Sequence, residues 1–183
     1  MKIWHISDTH SFHELLKIPE GIDMVIHSGD CSNVRDPYNN EPEVRRFIDW
    51  FSELPIQIFG SPHTPQFGYW AFMKARNKLE RVWKNAITDD SDVVICHGPP
   101  KGVLDLSYDT NRLMEYCGDK SLMNRVMEVK PKLMLFGHIH NTKDIVNAGT
   151  RTVYGLDTIF SNGSVVTDGK FGKLTSNGNI FEI

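Results

Sequence analysis

Ile3-Trp4-His5-Ile6-Ser7-Asp8-Thr9-His10 begins as a short apolar run and turns polar at once. The same change recurs three times. Met24-Val25-Ile26 leads into His27-Ser28-Gly29-Asp30, Val93-Val94-Ile95-Cys96 into His97-Gly98-Pro99-Pro100, and Leu133-Met134-Leu135-Phe136 into Gly137-His138-Ile139-His140. Runs this short, rich in Val, Ile and Leu and without polar alternation, have the pattern of strands buried on both faces; periodicity alone leaves buried helix open.

Between the runs the apolar spacing changes to three and four. Val44, Phe47, Ile48 and Phe51 form one stripe, with Pro42 near a helix start. Phe72, Ala75, Leu79, Val82, Trp83 and Ala86 form a second, interleaved with Lys74, Arg76, Lys78, Glu80, Arg81 and Lys84, which would face water. Trp50 and Trp83 sit on these stripes and are read as core. Ser121 is expected to cap a shorter helix carrying Leu122, Val126 and Val129, before Pro131 restarts the chain as a strand. After Asn141, the runs 151–154, 158–160, 164–167 and 180–183 are separated by Gly- and Asn-rich turns and predict a strand meander. Strands alternating with helices, then a run of strands, predict a mixed α/β layered sandwich. Ligands in such sheets bind at the carboxyl ends of the strands, where every polar cluster above falls.

At 183 residues, one domain over 1–183 is the expectation. With 40% hydrophobic and 23% charged residues the composition excludes disorder, collagen-like repeats and coiled coil. Twenty Lys+Arg against 23 Asp+Glu leave a net charge of -3, which provides no basic footprint for long nucleic acid or an anionic membrane. Cys31, Cys96 and Cys117 are far apart and lack C-x-x-C spacing, so a reducing compartment is expected rather than a disulfide framework or zinc knot. The first residues turn polar before a signal-peptide core could form, and no apolar run approaches bilayer length. These readings together predict a soluble cytoplasmic protein. They leave its oligomeric state open.

Asp8-x-His10, Gly29-Asp30, His97-Gly98 and Gly137-His138-x-His140 supply two carboxylates and four imidazoles from four strand ends. Oxygen and nitrogen donors mixed in this way suit Mn, Fe, Zn, Co or Ni better than Ca or Mg. Two ions need a shared ligand, and a carboxylate preceded by glycine can be aimed to provide it, which makes Asp30 the natural bridge. Each piece alone is common by chance, and a single His at a strand end is more often a hydrogen-bonded structural residue. Four pieces in order, each directly after a buried-strand pattern, are hard to obtain as accidents.

With these motifs the sequence resembles the calcineurin-like metallophosphoesterase superfamily, in which D-x-H, G-D, G-N-H-[DE], H-G and G-H-x-H build a dinuclear site. It is most similar to the small metallophosphoesterase-domain branch. Phe47-Ile-Asp-Trp50-Phe-Ser-Glu-Leu54-Pro55, Gly60-Ser-Pro-His-Thr-Pro-Gln-Phe67, Trp70-Ala-Phe72, His97-Gly-Pro-Pro100 and a slightly altered Asn162-Gly-Ser164 follow that branch's order over nearly the whole chain. The resemblance implies a four-layer α/β/β/α sandwich and two divalent transition metals, Mn favoured. Asp8, His10, Asp30 and His140 would hold one ion, and Asp30, His97 and His138 the other. It further implies hydrolysis of a small phosphoester, cyclic nucleotides or other small phosphodiesters foremost, by a metal-activated hydroxide attacking phosphorus in line.

One motif is absent. After Leu54-Pro55-Ile56 the chain passes directly to Gln57-Ile-Phe-Gly60, with no G-N-H-[DE]. The family's Asn ligand to the second metal and its acid His have no counterpart. The fold is therefore expected to lack one strand and its loop, to open beside Asp30, and to hold the second ion more weakly. No catalytic acid is assigned; His63, in a loop expected beside the pocket, is the candidate substitute, against the plainer reading of a solvated loop residue. His5, His13 and His27 are read as structural or supporting, Trp70 and Phe72 as pocket wall or packing, and Asn33 as closing its loop. The rival readings are a metal-binding or regulatory module of the same fold without turnover, and a metallo-β-lactamase fold. The latter requires an H-x-H-x-D-H cluster, which His138-Ile-His140-Asn-Thr-Lys143 does not supply.

Overall fold

A computed structural model describes residues 1–33, 40–54, 57–59 (backbone only), 64–66, 72–109, 111–167 and 172–183. Among these residues twelve strands and three α-helices follow in chain order: β1 (Lys2–Ile6), β2 (Met24–His27), α1 (Asn40–Ser52), β3 (Gln57–Phe59), β4 (Thr64–Pro65), β5 (Met73–Lys74), α2 (Arg76–Ala86), β6 (Val93–Ile95), β7 (Leu106–Tyr108), β8 (Met114–Tyr116), α3 (Lys120–Val129), β9 (Leu133–Phe136), β10 (Gly149–Val153), β11 (Leu156–Asn162) and β12 (Asn179–Glu182). One sheet has the order β12-β1-β2-β3 and the other β10-β11-β9-β6. Within each, three neighbouring strands are parallel and one edge strand, β12 or β10, is antiparallel.

The buried-run reading explains the layering. Leu133 and Leu135 pack with Ile3, Ile26 and Phe181 between the two sheets. Their alternate neighbours Met134 and Phe136 pack outward with Leu79, Trp83, Leu122 and Val126 of α2 and α3. On the opposite outer face, Trp4, Ile6 and Val25 meet Leu54, with Trp50 and Phe51 of α1 packed against them. The result is the predicted α/β/β/α sandwich, and central strands such as β1, β2 and β9 need apolar residues on both faces because each face meets another layer. Full burial of one such side chain stabilises by about 1.5–3 kcal/mol.

Several local expectations are corrected. The second stripe does not begin a helix at Phe72: that residue has φ 63°, a left-handed value that a right-handed helix cannot contain, and it is 59% exposed. The chain there pairs β5 with β4, and α2 starts at Arg76. Ile48, counted on the first stripe, is exposed. The cap of α3 is Asp119, whose carboxylate accepts from the Leu122 N–H (2.7 Å), and Ser121 donates to that same carboxylate. The terminal runs are not one meander. β11 pairs parallel with β9, residues 164–167 make isolated bridges such as Ser7 with Ser164, and β12 crosses to the other sheet to pair with β1. Along the first sheet β3 pairs parallel with β2 over Val25–His27, and beyond that pairing Asp30 is exposed. Among the described residues no helix is long and apolar enough to cross a membrane.

Candidate metal centre

The parallel pairing of β1 and β2 continues beyond the strands. The N–H groups of Asp8, His10 and Ser11 donate to the carbonyls of Gly29 (2.9 Å), Asp30 (3.2 Å) and Cys31 (3.0 Å), so two loops run side by side carrying Asp8, His10 and Asp30. The G-H-x-H turn reaches the same place because the Gly137 N–H donates to the His97 carbonyl (3.0 Å). Asp8, His10, Asp30 and His138 all have left-handed backbone, with φ of 51°, 41°, 54° and 70°. Such conformations cost non-glycine residues about 1–3 kcal/mol each and persist only where surrounding contacts impose them.

Two glycines allow the close approach. At Gly29, φ 133°, a Cβ would lie 2.5 Å from His97 Nδ1. At Gly137 a Cβ would collide with Asp8 Oδ2 and Ser7 Oγ.

Asp8 is fully buried. Its two oxygens accept from the His138 N–H (3.1 and 2.9 Å), Oδ2 accepts from Ser164 Oγ (2.8 Å), and Oδ1 lies 3.0 Å from His140 Nε2. Burial opposes ionisation of Asp8, yet His140 and His97 outweigh it and hold the carboxyl well below its usual range. His97 Nε2 lies 3.3 Å from Asp30 Oδ2, 3.2 Å from His138 Nδ1 and 3.9 Å from Asp8 Oδ1. Burial disfavours charge on His97 too, but Asp8 and Asp30 prevail and raise its pKa. His138, half-buried beside His97, is lowered to about 4 by loss of hydration and by the neighbouring His97. His10 Nδ1 lies 3.0 Å from the Ser32 carbonyl, which as its acceptor fixes the tautomer and leaves Nε2 for a ligand.

The structure thus brings all six expected residues together as two groups. One ligand atom each from Asp8, His10 and His140 lie within 4.8 Å of one another, as do those from Asp30, His97 and His138. Ionised carboxylates and imidazole nitrogens converging at this spacing fit two divalent ions of the Mn, Fe, Zn, Co and Ni class. Asp30 falls within the second group, and the carboxylate oxygen reaching from the first group toward the second is Asp8 Oδ1. His63 and Trp70 lie outside the described residues. Asn33 closes its loop, its N–H donating to Glu43 Oε2 (2.7 Å), which also accepts from Ser11 Oγ (2.7 Å).

The supporting residues that spacing did not reveal are Glu43, Asn147 and Ser164. Ser164 stood in the Asn162-Gly-Ser164 phrase but with no role, and Glu43 and Asn147 carry no periodic signal. His5 is buried between Ser161 Oγ (2.8 Å) and Ser28 Oγ (3.1 Å), and His27 Nε2 lies 3.2 Å from Thr9 Oγ1. Burial lowers both to about 3. Between pH 6.5 and about 3 the unfolded chain therefore takes up protons on these rings that the folded chain refuses. Stability should fall as pH is lowered through that window, by about 1.4 kcal/mol per unit for each ring. Urea unfolding at pH 6.5, 5.5 and 4.5 checks this; His27→Gln should flatten the slope by one ring's share, and an unchanged slope would show that His27 does not titrate on unfolding.

A family model described as calcineurin-like phosphoesterase superfamily domain matches residues 1–167. Metallophosphoesterase domain-containing protein 1 of Homo sapiens is 38% identical over 99 residues, 53% of this chain but 29% of that protein. UPF0046 protein K07C11.7 of Caenorhabditis elegans is 31% identical over 203 aligned positions, 83% of this chain and 68% of the relative. UPF0046 protein C25E10.12 of the same organism is 27% identical over 202 positions, 80% and 71%. Both nematode alignments are longer than the 183-residue chain, so these relatives carry residues that have no counterpart here.

Proposed function

The chain belongs to the calcineurin-like phosphoesterase superfamily, and on that premise we propose that it is a metal-dependent phosphoesterase acting on small phosphodiesters, cyclic nucleotides foremost. The observation that carries this reading is the convergence of six donors from four strand ends into two groups of three. Asp8, His10 and His140 would hold one divalent ion and Asp30, His97 and His138 the other, with Asp30 shared as in the family; Mn is the favoured metal. Ions at these positions would supply a nucleophile at neutral pH and offset charge on the phosphoryl oxygens.

The protein's own part is orientation. The His138 N–H and Ser164 Oγ lock the Asp8 carboxylate, the Ser32 carbonyl sets the His10 ring, and burial keeps His138 neutral and able to ligate. A net charge of -3 without a basic run supports a small substrate over a nucleic-acid polymer. Cys31, Cys96 and Cys117 are all free thiols, which supports a reducing, cytoplasmic setting. The second reading is a metal-binding or regulatory module without turnover, and the observation favouring it is the missing G-N-H-[DE] segment.

The test is hydrolysis of bis-p-nitrophenyl phosphate and of cyclic nucleotides by chelator-treated protein with Mn added back. Turnover that saturates with Mn and disappears on chelation is expected. Two ions demonstrably bound with no turnover would overturn the enzyme in favour of the module.

A further inference from the structure

Beyond the six donors, two buried amides hold the backbone of the H-x-H segment. Asn162, at the end of β11, donates from Nδ2 to the carbonyls of Ile139 (2.9 Å) and Leu104 (3.2 Å), and its Oδ1 accepts from the Ser164 N–H (3.0 Å). Asn147 donates from Nδ2 to the carbonyls of His140 (3.0 Å) and Leu106 (2.9 Å), and its Oδ1 accepts from the Leu106 N–H (3.1 Å). The carbonyls of two consecutive residues, Ile139 and His140, are therefore each tied to the segment Leu104–Leu106 by one side chain.

That segment is a firm anchor. Between its ends, Asp105 is buried and its Oδ2 accepts from the N–H groups of Gly102 (3.0 Å) and Gly118 (2.8 Å). The loop after His140 is folded to deliver Asn147, because Asn141 Oδ1 accepts from the N–H groups of both Asn147 and Ala148, each at 2.8 Å. Asn147 is 1% exposed, so no solvent replaces its bonds.

We propose that Asn147 is a positioning residue for His140, holding that residue's carbonyl against Leu106 so that Nε2 stays aimed at the first group; this rests on reading the two groups as metal sites. An amide is required because the position must donate twice and accept once. An aspartate of the same shape would set a carboxylate against the two carbonyl oxygens of His140 and Leu106. A group that orients a metal ligand typically contributes about 10–100-fold in metal affinity. The effect should be local, since the hydrogen bonds of Asn147 run to Leu106, His140 and Asn141, on the side of the first group.

The experiment titrates metal-free protein with Co(II), followed by visible absorption and calorimetry. The wild type, Asn147→Asp and the milder Asn147→Ser are compared, with folding checked by circular dichroism. His140→Ala identifies which binding step belongs to the first group. Thr158→Val is the control: it removes a buried hydrogen bond to the Pro131 carbonyl (2.6 Å) at the opposite end of β11. In at least one folded Asn147 variant, the step that His140→Ala removes should weaken by about 10–100-fold while the other step stays in place. Thr158→Val should lower the thermal midpoint without moving either step. Unchanged steps in both Asn147 variants, equal weakening of both steps, or the same shift in Thr158→Val would overturn the positioning role alone. A wild-type chain that takes up no ion would overturn the metal reading, and this inference with it.

Discussion

Gly137→Ala is expected to lower the midpoint of thermal unfolding by about 6–12 °C and to abolish metal binding at the Asp8 group. The new methyl would run into Asp8 Oδ2, Ser7 Oγ and Ser7 Cβ. Asp8 has nowhere to retreat, being fully buried and held by the His138 N–H and Ser164 Oγ. Overpacking of this kind costs about 1–3 kcal/mol, and a displaced charged acceptor forfeits about 1.5–3 kcal/mol more per bond. Taking about 1.5 kcal/mol for the overpacking and about 1.5 kcal/mol for one displaced bond gives about 3 kcal/mol, which at 2–4 °C per kcal/mol for a chain of this size yields the stated shift. Calorimetry of Gly137→Ala beside Gly155→Ala checks it. Around Gly155, φ 81°, nothing lies within 4 Å, so only backbone strain of about 1 kcal/mol is expected there. Equal melting of the two variants would mean that the Asp8 cradle is not tightly packed.

Loss of a proposed ligand should be the larger effect on turnover. His140→Ala and His97→Ala are each expected to lower phosphodiester hydrolysis by more than roughly 100-fold, because losing an outer partner of a metal ligand already costs about 10–100-fold. Their metal titrations should differ. Asp8 is fully buried, whereas the Asp30 side chain is 50% exposed, so water competes more strongly in the second group. That group also lacks the family's amide oxygen, the Asn of G-N-H-[DE]. His140→Ala should then remove the tighter binding step and His97→Ala the weaker one. Three protein ligands plus water is a known catalytic arrangement for zinc-like ions, so the weaker site should still fill at higher metal concentration. Two steps of equal affinity would point to a further ligand, from residues 60–67 or from a segment outside this sequence.

The layered architecture was legible because Leu133 to Phe136 must be apolar at every position to serve two interfaces, and such a run is local. The donor cluster was legible for a related reason: parallel strands deliver whatever follows them to the same edge. The partner of β12 was not legible, since Ile180 and Phe181 look alike whether they pair with β11 or with β1, and the choice is made by packing against residues 174–180 positions away in sequence. The hairpin β7–β8 was missed because it presents Tyr108, Met114 and Tyr116 to solvent, against the pattern expected of a half-buried strand. Phe72 was misassigned because a periodic stripe ignores the sign of φ. Asn147 was invisible for a different reason: its three bonds go to backbone groups, which leave no mark on the residue types they join.

The bond between Ser164 Oγ and Asp8 spans 156 residues. During synthesis at about 5–20 residues per second, Asp8 would emerge roughly 8–31 s before the hydroxyl that locks its carboxylate. Through that interval β1 has one neighbour, β2, and an open edge where β12 will later pair. Asp8, His10 and Asp30 are then side chains of an incomplete sheet, and the histidines at 97, 138 and 140 arrive last. All six donors are consequently together only once both sheets have formed, so metal loading is expected to follow folding rather than to nucleate it. A topology so rich in distant parallel contacts is expected to refold on the millisecond-to-second scale, and a metal bound after folding should shift the unfolding rate more than the folding rate.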